Sequence, residues 1–372
     1  MFPVTKGGIY LGHAGVCPLP SRVVQTINAY SNQCTIFDQE DCFDPEMIWS
    51  TRQMVADLSG VNRDEIALVG PTSTALSMIA SGVSFEPGDN VIIYFDDYPS
   101  NVYPWLALKD KGVEVRFLKV DELGVIQPHH VEQLIDKKTK LVALASCHFL
   151  SGYRIDINTI GKMLREKNIL FSLDMIQTMG AFDTPLEWVD FAAADSHKWL
   201  LGPCAAGVMY VRKEIQDVFN PPVHGWHNIK CPDFVAQEEL AFRNDARKYE
   251  AGSPNFFGLA GLHTCFEIIK ELGLENISNA LLTHRRYITS ELEKRGITPL
   301  GVGFDTSNAG GMVSFTRPDL DLAMIHKKLA KKKIIVSLRR DRKLTQYIRL
   351  SPHYYNNTDD LDVFFTKLDD FL

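Results

Sequence analysis

Long apolar runs, paired cysteines and phosphate-loop glycine patterns are all missing from this chain. No stretch approaches the roughly 18 consecutive apolar residues of a membrane-crossing helix. Met1 to Val16 also lacks the apolar core of a secretory signal, so a cytoplasmic protein with no membrane partner is expected. The seven cysteines (Cys17, Cys34, Cys42, Cys147, Cys204, Cys231 and Cys265) form no C-x-x-C pair and are odd in number. Reduced thiols fit that pattern better than a disulfide framework or a zinc site, and no metal is expected. Neither G-x-x-x-x-G-K-[ST] nor G-x-G-x-x-G occurs, which removes the two commonest nucleotide-binding loops. Positive charge is scarce as well. A net charge of −7 and a pI of about 5.9 argue against nucleic acid as a partner. The lysines of the Lys327–Lys333 stretch are interrupted by Leu329 and Ala330 at helical spacing, as on a solvated helix face.

What is present reads as an α/β protein. From about residue 50 to 215, amphipathic stretches alternate with short apolar runs: Glu65–Val69, Asn90–Phe95, Glu114–Lys119, Lys140–Ala145, Ile169–Leu173, Phe191–Ala194 and Ala206–Val211. Strand–helix alternation of this length predicts a mostly parallel sheet of about seven strands. Residues 257–295 read as long helices, followed by the short runs Gly311–Thr316 and Ile334–Leu338, a helix at Leu320–Lys332 and a final helix after Asp359. The expected organisation is a large domain over 21–258 and a smaller α+β domain over 259–372, with residues 1–20 packing on the smaller one.

In a parallel sheet, ligands collect at the carboxyl ends of strands, and three such ends carry reactive groups. Asp195-Ser196-His197-Lys198-Trp199 follows the run Phe191–Ala194. A lysine desolvated at that place is suited to form a Schiff base, although a strand-end lysine taken alone is most often a surface residue. Ile169–Leu173 ends in Asp174, with Gln177 just beyond. A buried acid there needs a cationic partner, such as the pyridinium nitrogen of pyridoxal 5′-phosphate (PLP); a helix cap is the plainer alternative. Gly70-Pro71-Thr72-Ser73 links a strand to an apolar helix, where free N–H groups and two hydroxyls suit a phosphate, or form an ordinary cap.

Taken together, these segments resemble the class V aminotransferases, the branch of the fold-type I PLP enzymes that includes cysteine desulfurases and isopenicillin-N epimerase-like proteins. The resemblance covers nearly the whole chain, from Tyr10-Leu11-Gly12-His13-Ala14-Gly15 to Tyr347-Ile348-Arg349-Leu350-Ser351-Pro352-His353. It implies PLP on Lys198, with Thr72, Ser73, Ser196 and His197 toward the phosphate. It also implies Tyr98 stacked on the ring, Asp174 at the ring nitrogen, and Gln177 and His148 near the ring oxygen. Arg349 would hold the substrate α-carboxylate, with His13 also on the substrate side. Arg247-Lys248-Tyr249-Glu250-Ala251-Gly252-Ser253-Pro254-Asn255 resembles the segment whose hydroxyl, here Ser253, reaches the phosphate of a neighbouring protomer. A homodimer with composite active sites is therefore implied. Tyr103, Trp226, His227, Arg339 and Arg340 are further candidates to line the substrate side.

Two departures from the family pattern stand out. The turn after the lysine, Gly202-Pro203-Cys204-Ala205-Ala206-Gly207, has alanine at a position often glycine. No cysteine occurs from Ile334 to Ile348, and Cys204 and Cys231 lie in other segments. Because persulfide transfer needs a thiolate shortly before the carboxylate-binding arginine, this absence argues against a cysteine desulfurase of the usual mechanism. The expected activity is PLP chemistry at the α-carbon of an amino acid, with transamination favoured. The alternatives are a C–S or other β-lyase (kynureninase-like or cystine-lyase-like), an epimerase, and, last, a non-catalytic protein of the same fold. Neither the substrate side chain nor the reaction path is fixed by these residues.

Overall fold

Seven of the short apolar runs pair into one sheet in the computed structural model, which describes residues 1–372. In chain order the strands are β1 (Ile9–Tyr10), β2 (Ile66–Val69), β3 (Asn90–Ile93), β4 (Glu114–Phe117), β5 (Thr139–Ala145) and β6 (Leu170–Asp174). They continue with β7 (Phe191–Asp195), β8 (Gly207–Val211), β9 (Val313–Phe315), β10 (Ile334–Ile335), β11 (Ser337–Arg340) and β12 (Gln346–Leu350). The large sheet has the order β2-β8-β7-β6-β5-β3-β4. β8 runs antiparallel to both its neighbours and every other pairing is parallel, as expected for this α/β class.

The strands are apolar at nearly every position because both faces of the sheet are covered. Val91, Ile93, Leu141 and Ala143 enter one apolar cluster, while Ile92, Tyr94, Val142 and Leu144 enter the other. Successive side chains of one strand thus serve opposite layers. Each fully buried aliphatic side chain contributes roughly 1.5–3 kcal/mol.

Helices close these layers. α1 (Ser21–Gln33) and α2 (Pro45–Ser59) pack against the helix Phe256–Leu272, which runs across residues 258 and 259. Local signals set the limits of α2. Asp44 caps the Glu46 amide, Pro45 opens the first turn, and Gly60 ends the helix at φ +69. Arg52 of α2 is buried and pairs with Glu250 at 2.7 Å, and Glu250 also accepts the Leu68 amide of β2 at 2.7 Å. That pair fixes α2 and the edge strand to the segment leading into the long helix.

A second, smaller sheet has the antiparallel order β11-β12-β9, and β1 pairs in parallel with β10. Leu11 shares an apolar cluster with Phe315, Ile348, Leu350, Leu361 and Phe364, so the amino-terminal segment builds part of this unit's core. Gly8 permits the pairing, since a Cβ there would lie 2.3 Å from the Lys333 carbonyl oxygen. In the β11–β12 hairpin, Ser337 faces Arg349 and Arg339 faces Tyr347, which sets all four side chains on one side of the ribbon. Arg342 in its turn pairs with Asp96 at 2.6 Å and lies over the Phe95 ring. No helix is long and apolar enough to cross a membrane.

The turn after β7 adopts left-handed backbone at Leu201 (φ 60) and Ala205 (φ 62). Ala205 is exposed, so its methyl group adds strain without packing. Replacing it by glycine removes that strain but frees the unfolded chain, leaving a net gain of about 0.5–1 kcal/mol. Chemical denaturation of Ala205→Gly is expected to show an increase of that size; a loss of stability would mean that the turn is not strained.

Candidate active site

The carboxyl ends of five strands of the large sheet converge with the β11–β12 hairpin on one cavity of about 240 Å³. Thr72 and Ser73 come from the start of α3 (Thr72–Gly82), directly after β2. Tyr98 and Ser100 follow β3, Phe149 follows β5, Asp174 ends β6, and His197 and Lys198 follow β7. Ala14, Gly15 and Val16 form another wall, and Arg339 and Arg349 enter from the hairpin.

Lys198 sits on a turn organised by one carboxylate. Asp195 accepts the backbone amides of Ser196 (2.7 Å), Ala205 (3.0 Å) and Ala206 (3.2 Å). His197 Nδ1 lies 2.9 Å from Asp195 Oδ2, off the axis of a hydrogen bond. Trp199, next to the lysine, is locked by its indole N–H to Gln177 Oε1 at 2.9 Å, and the His353 ring lies 3.0 Å from its carbonyl. The Lys198 amine stands 5.2 Å from the centre of the Tyr98 ring. Burial pushes its pKa down to about 8, against the attraction of Asp174 and with the repulsion of Arg349 and Arg339.

Several buried polar atoms facing this cavity have no partner within the protein. Asp174 takes only the Ile176 amide, at 3.0 Å, and burial raises its pKa. Arg349 gives Nη1 to the Phe149 carbonyl at 2.5 Å, yet its Nε and Nη2 are unpaired, and burial lowers its pKa to about 9. Thr72 Oγ1 is buried and unpaired too, while the Ser73 and Ser100 hydroxyls meet at 2.7 Å. A lone buried carboxylate, an orphan arginine fork, and hydroxyls at a helix start each call for a charged or hydrogen-bonding ligand. These residues fit PLP: Asp174 can take the ring N–H, Thr72 and Ser73 the phosphate, and Lys198 the aldehyde carbon. Asp97, buried just outside the lining, is pushed up to about 7 by desolvation and by the nearby Asp174 charge.

Of the residues singled out from sequence, Thr72, Ser73, Tyr98, Asp174, Gln177, His197, Lys198 and Arg349 line the cavity together. Gln177 is partly committed, since it also donates to the Ala14 carbonyl at 3.2 Å. Four others do not line it. His13 is fully buried between the Ser351 carbonyl and the Tyr355 hydroxyl, and its pKa falls to about 4 through burial. His148 turns toward Ser151 and the Asp96 carbonyl, leaving Phe149 to face the cavity. The Ser196 hydroxyl donates to the Pro203 carbonyl at 2.6 Å. Ser253 is exposed on this chain, away from the lining residues. Among the further substrate-side candidates only Arg339 lines the cavity; Tyr103 and Arg340 border the adjoining groove that holds Asp96. Trp226 packs against Phe234, and His227 Nδ1 contacts the Glu250 carbonyl. Ser100 and Phe149 were not foreseen. Phe149 follows His148 in the same strand-end segment, so a test of both neighbours would have found it.

The family described as Aminotransferase class-V matches residues 9–364. A probable cysteine desulfurase of Methanothermobacter thermautotrophicus is 28% identical over 331 residues, covering 86% of this chain and 80% of that protein. One of Pyrococcus abyssi is 27% identical, over 99% of this chain and 95% of its own. Among solved structures, the apo cysteine desulfurase of Thermococcus onnurineus superposes with a TM-score of 0.91 at 24% identity, covering 99% of this chain and 96% of its own. A cystine C–S lyase in complex with cysteine persulfide gives 0.89 at 20% identity, with full coverage of both chains. These relatives overturn the expectation, drawn from the missing cysteine before Arg349, that a cysteine desulfurase is disfavoured. Cleavage of a Cβ–S bond by β-elimination, with the sulfur leaving as a thiol or persulfide, needs no protein thiol, so the lack of one in a single segment does not exclude carbon–sulfur chemistry.

Two measurements follow from this geometry. The rate at which an acylating reagent labels Lys198 in the apo protein should rise with a midpoint near pH 8, because burial favours the neutral amine. A midpoint above pH 10 would show a solvated lysine. Asp195→Ala leaves three buried amides without an acceptor and is expected to lower stability by about 3 kcal/mol or more in denaturant melts.

Proposed function

The chain belongs to the class V aminotransferase family of PLP-dependent enzymes, and from that premise we propose that it cleaves the Cβ–S bond of a cysteine-type amino acid. The observation that carries the reading is the shared cavity of Lys198, Asp174 and Arg349, each with bonding capacity the protein leaves unused. The choice of sulfur over transamination is supported by the names of the relatives. PLP supplies an electron sink conjugated to the substrate α-carbon.

The protein's own residues do the rest. Arg349 takes the α-carboxylate through Nε and Nη2, a planar fork that suits it better than a lysine would. Lys198, neutral in an appreciable fraction near pH 8, removes the proton from Cα and returns it later. The Tyr98 ring, 5.2 Å from the Lys198 amine, would stack on the ring of the cofactor. Asp174 would keep the ring nitrogen of the cofactor protonated, and that cation would offset the desolvation of its own charge. Thr72, Ser73 and His197 hold the phosphate. The exposed Ser253 is suited to serve the phosphate of a second protomer, which supports a homodimer with composite sites. The substrate is a small molecule, an amino acid.

Incubating the holoenzyme with cysteine or cystine is expected to release sulfur by β-elimination, giving pyruvate and ammonia with sulfide from cysteine or cysteine persulfide from cystine. Alanine, with the sulfur passed to an added thiol as its persulfide, would mark desulfuration. Accumulation of pyridoxamine phosphate with amino acid alone, and no sulfur release, would instead establish transamination. Lys198→Ala should lower kcat by about 10²–10⁴. Arg349→Lys should raise KM by roughly tenfold or more, a loss of about 1.4 kcal/mol or more of binding.

A further inference from the structure

The cavity is lined by three side-chain cations, Lys198, Arg339 and Arg349, and one carboxylate, Asp174. Two of the cations have tasks in the reading above: Lys198 faces the cofactor aldehyde, and Arg349 the α-carboxylate. Arg339 has none. Its only side-chain hydrogen bond is from Nη1 to the Leu338 carbonyl, at 3.0 Å, and no acid pairs with it. The other arginines of the same ribbon are accounted for differently, since Arg340 is exposed and Arg342 is bound to Asp96.

Hairpin register fixes where the spare charge points. Arg339 lies opposite Tyr347, and Arg349 is two residues further along the partner strand. The two arginines are therefore diagonal neighbours on one face, with backbones roughly 7–8 Å apart. Each fork is tethered by one nitrogen, Arg349 to the Phe149 carbonyl and Arg339 to its own strand, which holds the guanidinium groups as separate stations. Gly15 makes room for the second station, because a Cβ there would lie 3.1 Å from Arg339 Nη2. A half-buried guanidinium facing a cavity in which Arg349 already repels it is poorly placed unless an anion joins it.

We propose that Arg339 is a specificity-determining residue that selects substrates carrying a second anionic group, carboxylate or sulfinate, on the amino-acid side chain. The inference rests on the reading of Arg349 as the α-carboxylate anchor. It does not depend on which bond is broken, and its test needs no turnover.

Isothermal titration of the PLP-loaded protein with butyrate, succinate and 3-sulfinopropanoate compares one anion with two. At least one dianion is expected to bind tenfold or more tightly than butyrate, the better of the two identifying the carboxylate or the sulfinate. In Arg339→Gln that preference should fall to about threefold or less, while Arg339→Lys, which keeps the charge, should retain part of it. Equal binding of all three ligands to the wild-type protein would overturn the proposal, and so would an undiminished preference in Arg339→Gln. If the dianion preference is found but no sulfur amino acid is cleaved, the assignment of the reaction fails while that of Arg339 stands.

Discussion

The whole candidate site hangs on the carboxylate of Asp195. It ends a fully buried strand and gathers three backbone amides, so the chain from residue 195 to 206 closes on itself instead of continuing the strand direction. The Lys198 amine is carried on that closure, with Trp199 pinned on its far side by Gln177 and His353. A lysine is the longest and most flexible donor a chain has, and its backbone is held by contacts that leave the amine itself free. In the sequence Asp195 stands merely as a neighbour of the lysine, because its partners are amides that no residue pattern displays.

Around that fixed point the protein keeps its charges unsatisfied. Arg349 and Thr72 each have buried polar atoms without a partner, Asp174 takes a single amide, and desolvation moves the Lys198 and Arg349 pKa values down and the Asp174 value up. In a structural core such groups would be destabilising and would be replaced or paired. Here they are arranged so that a ligand with a ring cation, a phosphate and a carboxylate would satisfy them together. The apolar layers on both faces of the sheet supply the stability that lets the strand ends remain frustrated.

The strands of the large sheet were legible because burial on both faces writes itself as continuous apolar runs such as Lys140–Ala145. Asp174 and Lys198 were legible because a charge at the end of such a run is conspicuous. Other features depend on direction and not on position. His148 and Phe149 are adjacent, and which of them faces the cavity follows from His148 reaching the Asp96 carbonyl. His13 and Ser196 stand in segments that resemble the family's, yet their side chains satisfy backbone carbonyls nearby. The β11–β12 hairpin was read only as one apolar run and a separate arginine segment, so the shared face of Arg339 and Arg349 could not be seen until the register was known. The missing cysteine before Arg349 misled for another reason: one segment's lack of a thiol weighs little against a likeness to desulfurases that extends over the whole chain.

The pairing of β1 with β10 gives the protein a particular history of assembly. Residues 9 and 10 meet residues 334 and 335, so β1 is made before every strand of the large sheet and must wait for its partner until all of them have followed. Closing so long a loop adds little to the equilibrium cost, which grows only logarithmically, but contacts of such separation form slowly. The large sheet can be complete on the ribosome while Leu11 and its future neighbours are still exposed apolar surface. Because β12 brings Arg349 to the cavity, that guanidinium arrives with the late closure. A nascent chain can thus hold a finished lysine turn while the cavity still lacks its arginine wall.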